Sequence, residues 1–181
     1  MKKLFIITLL LFISTLLFAG EITGLFGISF GKTSKEVQAA MKEKGWSIEK
    51  SDDDSEKYIK DKGTYGNLEV SDITIYYYKN QFYDFTVGFP FGTSISDIGS
   101  TVKSIQETYD LKLIDNNTTT SDGVSLVTYI YGDEKNNTFK LTVLGGSYIQ
   151  IPVFEVMNYE LNKQKTEEEK KKKNQKVSSD L

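Results

Sequence analysis

The chain has 181 residues, of which 25 are Asp or Glu and 22 are basic, and it contains no His and no Cys. All 22 basic residues are Lys, so Arg is absent as well. These absences exclude imidazole proton shuttles, thiolate nucleophiles, His or Cys metal sites and bidentate guanidinium clamps. Carboxylate, Lys, Ser and Tyr chemistry remains available, but we expect a non-enzymatic protein without cofactor or metal.

Residues 1–20 have the form of a bacterial secretory signal peptide. Lys2 and Lys3 precede an apolar run over residues 4–18, and the small residues Ala19 and Gly20 follow it. This run is shorter than the ~20 residues that a membrane-spanning helix needs. We therefore expect a periplasmic or secreted protein that does not span the membrane after signal cleavage. An uncleaved N-terminal anchor is the alternative.

Charge separates the body of the chain from its C-terminal tail. Residues 21–163 contain 14 Lys and 21 acidic residues, whereas residues 164–181 contain six Lys and four acidic residues. Because neutralising phosphates requires a basic surface, the acidic body argues against nucleic acid as a partner. The tail, residues 155–181, begins with a short helical pattern and continues with Glu and Lys four residues apart, which predicts a charged helix or a disordered tail.

An internal repeat at an offset of 61 residues organises the rest of the sequence. Residues 27–37 (GISFGKTSKEV) align with residues 88–98 (GFPFGTSISDI) without a gap. Thr33 and Ser94 suit helix N-caps, and Glu36 and Asp97 stand three residues later, as in a capping box. An amphipathic helix and four strand-like segments with hairpin-length links follow each start. The sequence predicts two units, residues 21–87 and 88–154.

The predicted fold class is α+β. Each unit is a helix followed by an antiparallel four-stranded sheet, and the helices cover one face of the sheet. The predicted strands are segments 46–49, 57–60, 68–78, 82–89, 111–114, 124–131, 139–144 and 148–154, and a loop is expected over residues 116–122.

The start of the first unit, residues 28–37 (ISFGKTSKEV), resembles the beta-lactamase inhibitor protein and its relatives, including the small outer-membrane assembly lipoproteins. Those families share an apolar-x-apolar-Gly-x-Thr/Ser-x-x-Glu-Val start, and the inhibitor members fuse two helix-plus-four-strand units. The resemblance implies protein binding through the sheet face over residues 27–154. This chain departs from both groups because it has no Cys for a lipid anchor or a disulfide.

Two motif-like segments have simpler interpretations. The segment from Gly27 to Thr33 is one residue shorter than a phosphate-binding loop, so a turn and a helix cap explain it and no nucleotide is expected. Residues 52–56 (DDDSE) could face Ca²⁺, but Lys57 and Gly63 stand where a calcium loop needs Gly and Glu. We interpret residues 52–56 as a solvated acidic turn.

The candidate binding surface is rich in tyrosine. Alternation places Ile73, Ile75 and Tyr77 toward the core and Thr74, Tyr76 and Tyr78 on the other face. In the next strand, Tyr83, Phe85, Val87 and Phe89 are assigned to the core and Phe82, Asp84 and Thr86 to the other face. In the last strand, Ile149, Ile151 and Val153 are assigned to the core. The predicted binding residues are Tyr76, Tyr78, Phe82, Tyr148 and Gln150.

Three functions remain open from the sequence. The first is an exported binding protein that recognises a protein or an envelope component through the tyrosine face, since Tyr gives a rigid apolar area with a polar tip. The second is a carbohydrate-binding or carbohydrate-active protein that uses the same tyrosines with acids such as Asp84. The third is a structural envelope protein whose tyrosine face is covered by the C-terminal helix.

Overall fold

The computed structural model describes residues 21–121, 124–145 and 150–179. The predicted signal peptide and Tyr148 lie outside these residues. The described chain is α+β, with three helices and a large antiparallel sheet. Its helices are α1 (Ser34–Glu43), α2 (Ile95–Tyr109) and α3 (Tyr159–Ser179).

The sheet has eight strands in the order β3-β4-β7-β8-β12-β11-β10-β9. Two short hairpins, β1-β2 and β5-β6, lie beside it. The strands are β1 (Gly24–Leu25), β2 (Ile28–Ser29), β3 (Ser47–Ser51), β4 (Ser55–Ile59), β5 (Thr64–Tyr65), β6 (Leu68–Glu69), β7 (Asp72–Tyr78), β8 (Gln81–Gly88), β9 (Lys112–Ser121), β10 (Val124–Gly132), β11 (Thr138–Gly145) and β12 (Gln150–Met157).

A single sheet of eight strands replaces the smaller four-stranded sheets that the sequence predicted. The strands that end each half of the sheet, β8 and β12, pair antiparallel, with Val87 opposite Phe154 and Phe85 opposite Val156. All four of these side chains are at most 1% exposed. In separate sheets, β8 and β12 would each leave a long apolar edge unpaired, and pairing removes both edges.

Helices α1 and α2 cover one face of the sheet and begin at the predicted caps. Thr33 accepts a hydrogen bond from the N–H of Glu36, whose carboxylate accepts one from the N–H of Thr33, so the capping box is present. Ser94 caps α2 by accepting from Asp97. Gly31 and Gly92 precede these caps with φ values of +84° and +87°, a conformation that favours glycine.

The core lies between these two helices and the sheet. Val37 and Met41 of α1 and Ile98 and Val102 of α2 are buried in one cluster with the inward side chains of the strands. The cluster includes Ile73, Ile75, Phe85, Phe139 and Phe154. We conclude that one continuous core spans both halves of the sheet.

The third helix packs on the other face. The sequence predicts a charged helix or a disordered tail, and the structure has a helix there that contacts β7 and β8. Within the described part of the chain, no helix is long and apolar enough to cross a membrane.

A buried carboxylate links α1 to the sheet. The sequence predicts that Glu56 belongs to a solvated acidic turn, and this is wrong, because Glu56 lies in β4 and is only 3% exposed. Its carboxylate accepts hydrogen bonds from Ser34 (2.7 Å) and Gln38 (2.5 Å) of α1, from Tyr77 of β7 (2.7 Å) and from Tyr58. Burial raises the pKa of Glu56, but these four hydrogen bonds outweigh it and the pKa lies below its ordinary value.

We predict that Glu56→Gln destabilises the protein, because an amide cannot accept from four donors with one oxygen. The expected loss in the free energy of unfolding at pH 7 is on the order of 2 kcal/mol, measured by urea denaturation. Glu69→Gln, at an exposed position of β6, is the matched control and is expected to change little.

The loss should also depend on pH. A carboxyl group whose folded pKa is lowered contributes stability above its unfolded pKa, here about 4.5, and that contribution disappears as the pH falls through the folded value. The difference in the free energy of unfolding between wild type and Glu56→Gln should therefore shrink below pH 4.5. A difference that stays constant down to pH 2 would show that the charge of Glu56 is not involved.

Candidate functional site

The structure separates the predicted binding residues. Tyr76 and Tyr78 of β7 lie on the sheet face opposite α1 and α2 and are half-buried, as their alternation with buried Ile75 and Tyr77 predicted. Gln150 is exposed at the start of β12, but it alternates with the core residues Phe154 and Val156 and so lies on the face of α1 and α2. Tyr76 and Gln150 therefore do not share a surface.

The placement of Phe82 on the exposed face is wrong. Its side chain is fully buried, and its ring centroid lies 4.9 Å from that of Phe30. The reason is a β-bulge, because Tyr77 pairs with Phe82 while the preceding residue, Tyr76, pairs with Asp84. Tyr83 is the extra residue. Phe85 and Val87, after the bulge, keep the predicted core face, whereas Phe82, before the bulge, faces the core instead of the opposite face.

The alternation of β12 is also opposite to the prediction. Ile151 and Val153 were assigned to the core, but Ile151 is 41% exposed, whereas Phe154 and Val156 are buried. The register with both neighbouring strands decides which face is buried, because Phe154 lies opposite Val87 and Leu141 of the core. A strand with a regular register has only one choice of face.

The tyrosine patch, defined as Tyr76, Tyr78, Tyr83 and Asp84, lies on the β7-β8 hairpin beside α3. Lys165 of α3 donates a hydrogen bond to the Tyr83 hydroxyl (2.7 Å), and its Nζ lies 4.9 Å from the centre of that ring. The Tyr78 hydroxyl donates to Glu168 (2.5 Å). Polar and charged groups thus hold α3 on the patch.

Glu168 is the second anchor of α3. It pairs with Lys79 (2.6 Å), which stands in the two-residue turn between β7 and β8. Hydrogen bonds from Lys79, Tyr78 and Lys172 lower the pKa of Glu168 to about 2. The carboxylate is therefore ionised at any physiological pH.

Asp84 has the most unusual environment on this face. It is 8% exposed, and among the described residues its Oδ1 is a buried atom without a hydrogen-bond partner. Burial, and then the charge of Glu155, raise the pKa of Asp84 to about 7, although Lys140, Lys165 and the N–H of Phe85 act in the opposite direction. The sequence places Asp84 on the face opposite the core and offers it as an acid for a glycan site, but neither the bulge nor the position of α3 can be derived from a local pattern.

The rest of this sheet face, which we call the open face, extends over β12, β11 and β10. Across its middle run Ile130, Lys140, Glu155 and Thr86, each opposite the next, and Lys140 pairs with Glu155. Toward its far end, Leu126 lies opposite Leu144, and Leu144 opposite Ile151. These last three side chains are between 40% and 43% exposed and form an aliphatic row on adjacent strands.

A groove of about 770 Å³ lies on the opposite side, between α2 and the β5-β6 hairpin. Its aromatic residues are Phe26, Tyr65 and Tyr109, and α2 contributes the hydroxyls of Ser100 and Ser104. Burial and the neighbouring Tyr109 raise the pKa of Tyr65, so its hydroxyl is neutral. The groove offers aromatic surface and hydroxyl groups, with Asp97 as its one charged lining residue.

These surfaces are suited to binding. Across residues 21–121, 124–145 and 150–179, no group of three or more acidic side chains is placed to hold a metal ion. On the sheet face opposite α1 and α2, Glu155 pairs with Lys140, Asp84 is buried, and Asp115 of β9 is exposed opposite Ile130.

Comparisons of the chain with protein-family models, with curated proteins and with solved structures find no match. The resemblance carried by residues 28–37 therefore stays a prediction.

Proposed function

We propose that this chain is a non-enzymatic, exported binding protein that recognises a protein partner through the sheet face opposite α1 and α2. The observation that carries the proposal is the aliphatic row of Leu126, Leu144 and Ile151. Three large apolar side chains on adjacent strands, each about 40% exposed, form a continuous apolar strip rather than isolated surface residues.

The shape and chemistry around the strip also favour a protein partner. Thr142 and Val153 lie opposite each other between the strip and the Lys140–Glu155 pair, so small polar and branched apolar groups surround it. Protein interfaces combine an apolar centre with a polar rim in this way. The face is built from strands within one sheet, which suits a broad contact area.

The proposed architecture is a fused pair of related units, and two features support it. Both α1 and α2 begin with a glycine turn and a hydroxyl cap at corresponding positions, Gly31 with Thr33 and Gly92 with Ser94. The strand order is symmetric about the β8-β12 junction, since β3-β4-β7-β8 meets β12-β11-β10-β9. Export is proposed from the signal-like sequence of residues 1–20.

The proposal predicts that Leu126→Ser/Leu144→Ser loses the partner. Mature protein is used to capture binding proteins from envelope extract, and a captured protein is then purified and titrated calorimetrically. Removing two interfacial aliphatic side chains should raise the dissociation constant at least tenfold, because each side chain contributes on the order of 1 kcal/mol to the free energy of binding.

Phe91→Ser is the matched control, since Phe91 is 75% exposed and lies outside the strip, in the turn before α2. It should bind as wild type does. Equal binding by wild type and the double variant would contradict the proposal, provided that circular dichroism shows both to be folded.

A second candidate function, saccharide binding, is favoured by the groove between α2 and the β5-β6 hairpin. Tyr65, Tyr109 and Phe26 give ring surfaces for a sugar face, and the α2 hydroxyls give donors and acceptors for sugar hydroxyls. This site is different from the tyrosine face that the sequence suggested for a glycan.

For the groove we predict that a neutral oligosaccharide, tested as chitotriose and maltotriose, shifts the amide resonances of α2. Ser100→Ala/Ser104→Ala should weaken binding at least fivefold by removing two hydrogen-bonding groups. Ser96→Ala, on α2 outside the groove, is the control. The absence of resonance shifts at 10 mM of either sugar (roughly ten times a weak millimolar dissociation constant) would exclude this function.

A further inference from the structure

Helix α3 lies on the tyrosine patch although it has no apolar face. Between residues 160 and 175, Leu161 is its one aliphatic residue. A helix that is polar all round gains little from apolar burial, so its position depends on specific polar contacts. Those contacts are Lys165 with Tyr83 and Glu168 with Tyr78 and Lys79. A helix held in this way can be displaced by a competitor with the same groups.

Beneath α3 lies a carboxyl group whose bonding is incomplete. The charged groups around Asp84 come from several elements: Glu155 of β12, Lys140 of β11 and Lys165 of α3. The charge of Asp54 acts on Tyr83 and Lys165. Lys140 is engaged by Glu155, and Lys165 donates to Tyr83, so neither satisfies Oδ1 of Asp84. An unsatisfied buried polar atom is costly and calls for an explanation.

We propose that Asp84 and the tyrosines around it form the anchoring site for a basic side chain of the partner protein, and that α3 covers this site in the unbound chain through Lys165. The proposal rests on the proposed function, since the partner would contact the same sheet face, and it names the chemistry of the contact. Binding displaces α3, pairs the cation with Asp84 and places its stem against Tyr83.

The net charge of the chain and the position of Lys165 favour a basic segment over other occupants. Residues 21–163 carry seven more acidic than basic residues, so they attract a cationic chain over distance. Lys165 already shows the fit of an ammonium group here, 2.7 Å from the Tyr83 hydroxyl and 4.9 Å from the ring centre. A ring face and a phenol oxygen are both favourable to a cation.

The first test uses the full chain with Lys165→Ala/Glu168→Ala, which we call the release variant because it removes the polar contacts that hold α3 on the patch. Glu167→Ala/Lys170→Ala is the matched control, because both of its positions are exposed on the same helix. Amide hydrogen exchange over α3 should accelerate at least tenfold in the release variant and stay at the wild-type rate in the control. Unchanged exchange in the release variant would overturn the proposal that the contacts of Lys165 and Glu168 hold α3 over Asp84.

The second test titrates fluorescein-labelled hexalysine, with hexaglutamate as the control peptide. The release variant should bind hexalysine at least tenfold more tightly than wild type, and adding Asp84→Asn should remove that gain. Asp115→Asn removes the same charge from β9 and should preserve most of it. An equal effect of the two Asp variants would overturn the assignment of Asp84, because it would show that only net charge matters.

Two further outcomes are decisive. If the wild-type chain sediments as a dimer and the release variant as a monomer, α3 of a second copy is the occupant and the basic-partner proposal is wrong. If hexalysine binding depends on Asp84 while Leu126→Ser/Leu144→Ser keeps the captured partner, the proposed function fails at the aliphatic row and the anchoring site stands. The two proposals can therefore fail separately.

The equilibrium between α3 lying over Asp84 and α3 displaced from it should also depend on pH. In the covered state, burial and then the charge of Glu155 raise the pKa of Asp84 to about 7, although Lys165 of α3 acts in the opposite direction. Removing α3 admits water to the carboxyl group and lowers that pKa toward its ordinary value of 3.8, so the covered state binds a proton that the uncovered state releases. Relative to the uncovered state, the covered state loses stability as the pH rises toward 7, by up to about tenfold per pH unit, and changes little above pH 7. Between pH 6.5 and 8.5 the equilibrium should therefore shift about fourfold toward release.

Hydrogen exchange over α3, corrected for the intrinsic rate, measures this shift. Asp84→Asn should abolish the pH dependence and leave α3 protected at pH 8.5. A wild-type profile that is flat across this range would show that Asp84 is not linked to the position of α3.

Discussion

The pairing of β8 with β12 is the contact on which the other features of the structure depend. It joins two runs of strands into one sheet, so that Val87, Phe154 and Val156 belong to one core. It also places the end of β12 beside the bulge of β8, with Met157 opposite Asp84 and the N–H of Asn158 donating to the carbonyl of Tyr83 (2.7 Å). Because α3 begins at Tyr159, this register fixes the start of the helix next to the tyrosine patch.

Two buried carboxyl groups, Glu56 and Asp84, have pKa shifts of opposite direction. Glu56 accepts four hydrogen bonds, which is why its pKa falls despite burial. Asp84 lacks a partner at Oδ1, and its pKa rises toward 7. The first arrangement stabilises the attachment of α1 to β4 and β7. The second does not favour the ionised form, so the cost of Asp84 has to be explained by something other than the free energy of folding.

The sequence was most informative where a feature is local. The capping box of Thr33 and Glu36 follows from residue types three positions apart, and the core face of β7 follows from simple alternation. Features that depend on distant partners were not predictable. Residues 116–121 looked like a loop because they are Asn, Thr and Ser, yet they form the end of β9 by pairing with β10. The bulge at Tyr83 likewise depends on the register between β7 and β8, and this misplaced Phe82.

The missing residue types explain why recognition here would depend on a few lysines and carboxylates. Without Arg, the chain cannot cover Asp84 with a bidentate guanidinium, and Lys165 offers a single ammonium that is already used by Tyr83. Without His, Asp84 is the group whose raised pKa of about 7 places it near neutrality. A perturbed carboxyl group can indicate catalysis, but catalysis also needs a cleft and a second group positioned on the substrate. Asp84 lies beneath a polar helix and beside tyrosines, an arrangement that is better suited to exchanging one cation for another.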